Sequence, residues 1–184
     1  MKGMIAMKTV IIKYGLEDIP KDYEIITREG VKGVIILKNK VLMIKTNKGD
    51  YKFPGGGVEK NETYYDTLRR EILEETGYQV ETIEDTIVET TDIREDKYEE
   101  NNIFQMKNIY IKCSIKEGFK GELKLDDYEN KQEFYPEFVD IDNAINNNKK
   151  LLEDNCTDVN EWVKRDTDVL DVVKKMYFAK EKQV

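Results

Sequence analysis

The chain has 184 residues with a formal net charge of −8, and 37% of its residues are charged. This length predicts a single domain, 1–184, with an adequate core, and the acidic balance argues against a surface that binds polymeric nucleic acid. There is no histidine, which excludes imidazole bases, imidazole zinc sites and histidine-containing nucleophile triads.

The N-terminal segment and the cysteines predict a cytoplasmic protein. The segment MKGMIAMKTVIIKYG has only a short apolar run and lacks a small-residue cleavage site, so we expect no signal peptide. No run of about 18 apolar residues is present, so we expect no contact with a membrane. Cys113 and Cys156 are far apart and have no metal-ligand spacing, which favours two reduced thiols.

The first half of the chain predicts strands followed by one helix. Short apolar or alternating runs at 7–13 and 23–27 predict strands. The runs 31–37 and 41–46 are rich in β-branched residues, and Lys38-Asn39-Lys40 between them predicts a hairpin. A helix is predicted from about Thr63, with an apolar stripe beside an acidic edge. The stripe consists of Tyr64, Tyr65, Leu68 and Ile72.

The second half predicts three strands and two helices. Strands are predicted at 78–91 and 103–115, with the polar loop IREDKYEENN between them, and at 134–141 after the acidic loop LDDYENKQE. Helices are predicted at 142–152 and from 158 to about 179. The last has an apolar stripe that favours a core or dimer contact over a ligand site. The stripe consists of Trp162, Val163, Val169, Leu170, Val173, Met176 and Tyr177.

The most informative segment is 56–78, which reads GGVEKNETYYDTLRREILEETGY. On a helix, Glu71, Glu74 and Glu75 fall within an arc of roughly 100°, where like charges repel one another. Folding alone does not require this arrangement, whereas a divalent cation with oxygen ligands does. A solvated acidic helix face is the alternative for any single glutamate. Three consecutive glycines at 55–57 also allow the backbone to approach a ligand closely.

This segment resembles the Nudix box of the Nudix hydrolase superfamily. The box has glycine, five residues, glutamate, seven residues, Arg-Glu, an apolar residue, any residue, Glu-Glu, any residue, glycine and an apolar residue. Every charged and glycine position matches, and only Tyr78 departs, where an aliphatic residue is more usual. The resemblance covers 23 of 184 residues and implies a Nudix-type α/β/α sandwich with a mixed sheet. We expect an additional C-terminal helix, within a helical extension from about residue 142.

The resemblance also implies the roles of the box residues. Glu74 and Glu75 are expected as the main metal ligands, with Glu71 as catalytic base or further ligand. The backbone carbonyl of Gly55 matches a position that can bind the metal in this family. We expect Mg²⁺ as the ion, which Mn²⁺ can replace.

Three residues of the box are expected to organise the site. Arg70 and Glu62 are paired in the family, where they hold the glycine loop, which includes Gly56, against the helix. For Arg70 the alternative is an exposed arginine with a helical neighbour.

A further acidic residue often comes from outside the box in this family, and the candidates here are Glu129 and Glu133, or Asp126 and Asp127. The sequence does not choose among these four.

The expected reaction is metal-dependent hydrolysis of a phosphoanhydride in a nucleoside diphosphate linked to another moiety, such as a nucleoside triphosphate or nucleotide sugar. The expected partner is a small nucleotide, and the protein is expected as a monomer or homodimer. One alternative is a catalytically silent nucleotide-binding sensor, but such modules usually lose box glutamates. Another is an isomerase of prenyl diphosphates, which the absence of histidine and of a suitable cysteine motif disfavours.

Overall fold

The computed structural model describes residues 8–154 and 159–179. Along these residues lie seven strands and four helices. None of the helices in the described part of the chain is long and apolar enough to cross a lipid bilayer. The elements are β1 Val10–Gly15, β2 Glu24–Leu37, β3 Lys40–Lys45, β4 Tyr51–Lys52, α1 Tyr64–Thr76, β5 Val80–Glu95, β6 Asn102–Ile115, α2 Asp127–Lys131, β7 Tyr135–Val139, α3 Ile141–Glu153 and α4 Trp162–Tyr177.

The strands form a mixed sheet in the order β1-β5-β6-β2-β3-β4, with β7 paired to β3. The pairs β1–β5 and β2–β6 are parallel, and the other pairs are antiparallel. Strand β2 joins two halves of the sheet, since its residues 24–35 pair with β6 and its last two residues pair with β3. Segment 56–78, which the sequence predicts to carry the catalytic residues, lies beside the point where β2 changes its partner.

Helices cover both faces of the sheet, which confirms the α/β/α sandwich. On one face, Leu68 and Ile72 of α1 pack against Val31, Ile35 and Ile111. On the other face, α3 and α4 share a core with the strands and with Phe53. The apolar stripe of α4 thus faces the core, where Val163, Val169, Leu170 and Val173 are fully buried. Its other members, except Trp162, are partly buried against the same core.

Several predicted elements require correction. The runs 23–27 and 31–37 belong to one continuous strand, β2, whose middle residues are polar because they border a cleft. Strand β5 continues to Glu95 and shortens the predicted polar loop. The acidic loop contains the short helix α2, for which Asp126 and Glu129 form a capping box. Tyr65 does not belong to the apolar stripe of α1, because it is 54% exposed.

The ends of two predicted elements lie partly outside the described residues. Helix α4 begins at Trp162, and residue 158 of the predicted helix is not described. Strand β1 begins at Val10, and residue 7 of the predicted strand is not described either. The predicted hairpin is confirmed, since Lys38 and Asn39 have φ values of 48° and 60° between β2 and β3. Two positive φ values are typical of the two-residue turn that suits the strand twist.

Candidate active site

The glycine loop, residues 54–58, runs alongside the middle of β2. Val31 donates its backbone N–H to the Gly56 carbonyl at 2.9 Å, and Gly33 donates to the Pro54 carbonyl at 2.9 Å. Gly55 has φ of 130°, and a Cβ there would lie 2.1 Å from the Val31 carbonyl oxygen. Only glycine fits this position without displacing the strand. The loop is therefore fixed against β2, while the Gly55 N–H and the Gly57 carbonyl contact side chains of α1.

Helix α1 begins and ends at well-formed caps. Thr63 and Asp66 form a capping box at its start, and Gly77 closes its end with φ of 73°. The helix packs closely on the sheet, because a Cβ at Gly33 would lie 2.7 Å from Ile72 Cδ1. This packing buries two of the box glutamates, Glu71 at 8% exposure and Glu75 at 1%. A buried carboxylate is strongly disfavoured unless it is paired. The partners of Glu71 and Glu75 therefore define the site.

Glu75 has two partners. Its Oε1 lies 2.6 Å from Lys52 Nζ, and its Oε2 accepts the Gly55 backbone N–H at 2.6 Å. Lys52 is itself buried, and its ammonium lies 4.2 Å from the centre of the Phe134 ring. A second buried lysine, Lys32, donates to the Gly55 carbonyl. Burial, together with the nearby Lys52, lowers the pKa of Lys32 to about 8. The Glu75 carboxylate and the Gly55 carbonyl, both expected as metal ligands, thus each accept a hydrogen bond from a lysine.

Arg70 joins the helix to the glycine loop. Its Nε and Nη2 bind the two oxygens of Glu62 at 2.7 and 2.8 Å, and its Nη1 lies 2.7 Å from Glu71 Oε1. Nη2 also donates to the Gly57 carbonyl at 3.3 Å. A bidentate guanidinium–carboxylate pair is among the stronger polar contacts in proteins. The geometry is the pairing that the resemblance implied for Arg70 and Glu62.

The ion pair of Arg70 and Glu62 should stabilise the fold at neutral pH. Hydrogen bonds from Arg70, and then from Thr67, lower the pKa of Glu62 to about 2. A lowered carboxyl pKa stabilises the fold above the unfolded pKa of about 4.3, and this stabilisation is lost as the pH falls toward 2. We expect Glu62→Gln to lower the free energy of unfolding at pH 7 by about 1–2 kcal/mol. Urea unfolding at pH 7, 5, 4 and 3 should show the gap to wild type closing below pH 5. A difference in unfolding free energy that stays constant over this pH range would contradict the lowered pKa of Glu62.

Three carboxylates converge on the glycine loop. Oxygens of Glu71, Glu75 and Glu129 lie within 4.8 Å of one another. Burial, and the charge of Glu75, raise the pKa of Glu71. Burial also raises the pKa of Glu129 to about 7, to which Glu75 contributes. Burial and the neighbouring charge of Glu75 thus both disfavour the ionised forms of Glu71 and Glu129. A hard divalent cation that takes oxygen ligands fits this group.

The structure separates the four candidate acids outside the box. Helix α2 places Glu129 in the acidic cluster. Asp126 caps that helix by accepting the backbone N–H of Glu129 at 2.8 Å, while Asp127 and Glu133 are exposed. Within the box, Glu74 lies apart from the cluster. It is half-buried, and its carboxylate lies 3.3 Å from Arg70 Nη1.

Residues 27–158 match the family model described as NUDIX domain, which is well over half of the chain. The chain belongs to the NUDIX domain family. The matched segment contains the Nudix box and α3, and it ends before α4. Nudix hydrolases generally use divalent metal ions, and the acidic cluster lies at the Nudix box.

Known proteins resemble the chain in sequence or in fold. An 8-oxo-dGTP diphosphatase from Buchnera aphidicola subsp. Schizaphis graminum is 42% identical over 55 residues, 27% of this chain and 42% of that protein. The alignment therefore spans less than half of that relative. An ADP-ribose pyrophosphatase from Streptococcus suis superposes with a TM-score of 0.51 and 16% identity, over 85% of this chain and 96% of that one. The E. coli ORF135 protein gives 0.51 and 17%, over 88% and 96%. The two structures share the fold.

Some residues at the Nudix box were not predicted from the sequence. Lys32 and Lys52 lie in stretches of β2 and β4 where consecutive residues are buried, so no alternation in the sequence indicates where their side chains point. Arg165 and Trp162 come from α4, and Asn108 comes from β6. With Glu71, Glu75 and Glu129 they line a cavity of about 320 Å³. No local motif marks these residues, because tertiary packing alone brings them to the box.

A wider cleft of about 770 Å³ opens beside this cavity. Its floor is the exposed part of the sheet, where Arg28, Met106 and Asp92 lie in one row across β2, β6 and β5. Phe104 lies further out on the same face, with Arg94 5.0 Å from its ring centre. Glu71, Gly57 and Arg165 border both spaces. The Nudix box therefore lies at the inner end of a cleft large enough for a nucleotide-sized ligand.

Proposed function

We propose that this Nudix protein is a metal-dependent pyrophosphohydrolase that acts on a nucleoside diphosphate linked to another moiety. The observation that carries the proposal is the convergence of three carboxylates, Glu71, Glu75 and Glu129, on the glycine loop at the inner end of a cleft. A site built only for stability would not hold three acids within 4.8 Å in a partly buried position. A cation and a phosphorylated ligand account for both the charge and the cleft.

We propose that Glu75 and Glu129, with the Gly55 carbonyl, hold the ion, which is Mg²⁺ with Mn²⁺ as a substitute. Glu71 lies beside them as the proposed base, and a role as a further ligand stays the alternative. When bound, the ion would neutralise phosphate oxygens and increase the acidity of the attacking water. Glu74 remains a proposed ligand from its place in the Nudix box alone, because its carboxylate lies with Arg70, outside the cluster.

The protein's own groups have distinct proposed roles in the reaction. Water adds to one phosphorus and passes its proton to a carboxylate, while the phosphoanhydride P–O bond breaks and the other phosphate group leaves with the bridging oxygen. Glu71 is the proposed acceptor of this proton, since it lies in the acidic cluster and burial raises its pKa. Arg70 holds Glu71 in place through Nη1 and is a positioning residue. Gly56 leaves room for the Glu71 carboxylate, and Glu62 fixes Arg70.

The substrate is proposed as a small nucleotide, either a nucleoside triphosphate or a nucleotide joined to another group. Similarity to an 8-oxo-dGTP diphosphatase and to an ADP-ribose pyrophosphatase supports these two classes as the first to test. The purified protein is incubated with 8-oxo-dGTP, dGTP, ADP-ribose, nucleotide sugars and dinucleoside polyphosphates, with Mg²⁺ or Mn²⁺. Chromatography should show a nucleoside monophosphate and the remaining phosphorylated product. Tight nucleotide binding without hydrolysis of any of them would favour the silent sensor.

Two neighbouring glycines provide a matched test of the loop. A Cβ at Gly56 would lie 2.4 Å from Glu71 Oε1, whereas a Cβ at Gly57 meets nothing within 4 Å. We expect Gly56→Ala to displace the Glu71 side chain and reduce kcat at least about tenfold, because catalytic groups must hold their positions closely. Gly57→Ala should retain most activity. Both variants should unfold within a few degrees of wild type by calorimetry. Equal kcat values for the two variants would contradict a role for Glu71.

We also propose that the whole chain is a single Nudix domain in which the helical extension is integral. Val169, Leu170 and Val173 of α4 lie in one core cluster with Val88 and Tyr110 of the sheet. A truncation before α4 would expose this cluster to water and should yield an unstable protein.

A further inference from the structure

Helix α4 contributes to the site although it lies beyond the segment that matches the NUDIX domain. Its first turns carry Trp162 and Arg165 to the cavity that holds the acidic cluster. Trp162 is fixed by a hydrogen bond from Nε1 to Asp50 Oδ2 of 2.8 Å. The N-terminal part of the helix therefore forms one wall of the cavity and does not only cover the core.

The Arg165 guanidinium is held in one orientation. Its Nε donates to the Tyr110 hydroxyl at 3.0 Å and to Asp166 Oδ1 at 3.2 Å. Asp166 is fully buried and is held by the Tyr110 hydroxyl at 2.7 Å and by the Phe53 backbone N–H at 2.9 Å. Arg165 Nη1 and Nη2 make no hydrogen bond to the residues that the structure describes. The side chain is only 16% exposed and borders the cavity and the outer cleft.

Asn108 lines the same cavity. It is 1% exposed, and neither Asn108 Oδ1 nor Nδ2 has a hydrogen-bond partner among the described residues. A Cβ at the neighbouring Gly30 would lie 2.7 Å from Asn108 Oδ1, so glycine makes the space for this amide. A buried amide without a partner destabilises a protein. Such a group requires an explanation, and a ligand that completes its hydrogen bonds is one.

We propose that Arg165 and Asn108 bind a phosphate group of the substrate, with Nη1 and Nη2 of Arg165 and Nδ2 of Asn108 as donors. The two buried lysines of the cavity are already engaged, Lys52 by Glu75 and Lys32 by the Gly55 carbonyl. Among the described residues that line the cavity, Arg165 is the remaining cation, and its Nη1 and Nη2 stay free for an anion. A planar guanidinium fork matches two phosphate oxygens, which an ammonium does not. This inference rests on the proposed function and adds α4 to the substrate site.

The test measures binding of imidodiphosphate, a non-hydrolysable pyrophosphate analogue, with Mg²⁺ by calorimetry. We expect the dissociation constant to rise at least about tenfold in Arg165→Gln and in Asn108→Ala. Arg165→Lys should also bind more weakly, since it keeps the charge but loses the fork. The control is Lys164→Gln, which removes one positive charge from an exposed neighbour paired with Asp168. This control should bind as wild type does.

Stability separates binding from a structural role. Asn108→Ala removes an unpartnered buried amide, so its melting temperature should equal or exceed that of wild type while binding weakens. A lower melting temperature with unchanged affinity would show a structural role and overturn the proposal. Wild-type affinity in either Asn108→Ala or Arg165→Lys also overturns it. If Arg165→Gln does not fold, these two variants decide the outcome.

Hydrolysis of the substrate found in the screen separates this inference from the proposed function. If Asn108→Ala and Arg165→Lys hydrolyse this substrate with the wild-type KM and kcat, the phosphate subsite is rejected and the proposed hydrolase function stands. If the wild-type protein hydrolyses nothing but both variants bind imidodiphosphate more weakly, the hydrolase function is rejected and the phosphate subsite stands.

Discussion

Replacement of Glu75 by glutamine should reduce kcat at least about a hundredfold, because charge stabilisation by a bound cation contributes several kcal/mol to such a reaction. Glu75 is the most buried acid of the cluster, at 1% exposure, and both of its oxygens are engaged. A neutral amide removes one ligand charge and turns an N–H group toward either Lys52 or the Gly55 N–H. The measurement is kcat in saturating Mg²⁺, with the substrate identified in the screen.

The control for this variant is Glu81→Gln, the same chemical change at an exposed position on β5. Glu81→Gln should retain the wild-type kcat. Circular dichroism should show that Glu75→Gln is folded, since relief of repulsion from Glu71 offsets part of the lost contacts. A folded Glu75→Gln protein with a kcat within about twofold of wild type would remove Glu75 from the site.

The second large effect is expected from Lys52→Met. In the metal-free protein this change leaves the Glu75 carboxylate buried, with the Gly55 N–H as its one direct partner in the described part of the chain. Breaking one side of a buried ion pair destabilises a protein by about 3–5 kcal/mol. For a protein of this size we expect the melting temperature to fall by roughly 10 °C. Calorimetry in a chelating buffer measures this change.

Metal should then restore much of the lost stability. A ligand that binds only the folded state raises the melting temperature with its free concentration. Millimolar Mg²⁺ should raise the melting temperature of wild type, and it should raise that of Lys52→Met more, because the cation replaces the missing ammonium. The control is Lys112→Met, which removes a contact of 3.3 Å to Glu84 away from the site. It should show the wild-type metal response. A smaller metal response in Lys52→Met than in wild type would contradict a cation at Glu75.

The box motif and the alternation of apolar residues were enough for the fold class and for most elements. Helix α1 begins after Thr63 as predicted, because its cap and its stop at Gly77 are local signals. Strand β2 was divided in the prediction, because Arg28 and Glu29 face a cleft and interrupt the apolar pattern. The same cause explains the missed α2, whose five residues are polar and include no buried side chain. Polar stretches that border a site give weak periodicity.

The roles of the box residues stay predictions, but the structure shows which of them meet. Glu71 and Glu75 lie together on the loop, while Glu74 points to Arg70, although all three fall on one side of the helix. Helical spacing fixes the direction of a side chain to within an arc, and the packing of α1 against the sheet decides which members of the arc are buried.

The sequence by itself determined the family resemblance, the order of the main elements and the acidic edge of α1. All three depend on the spacing of residues that are close in the chain. Only the tertiary structure placed Glu129 rather than Glu133 at the acidic cluster and paired Lys52 with Glu75. It also brought Arg165 and Asn108 to the cavity. Asn108, Glu129 and Arg165 are separated from the box by tens of positions, and Lys52 is 23 positions from Glu75. Their meeting depends on how β2 changes partners and how α4 packs across the sheet. Such long-range placement leaves no periodic or local signal in the sequence.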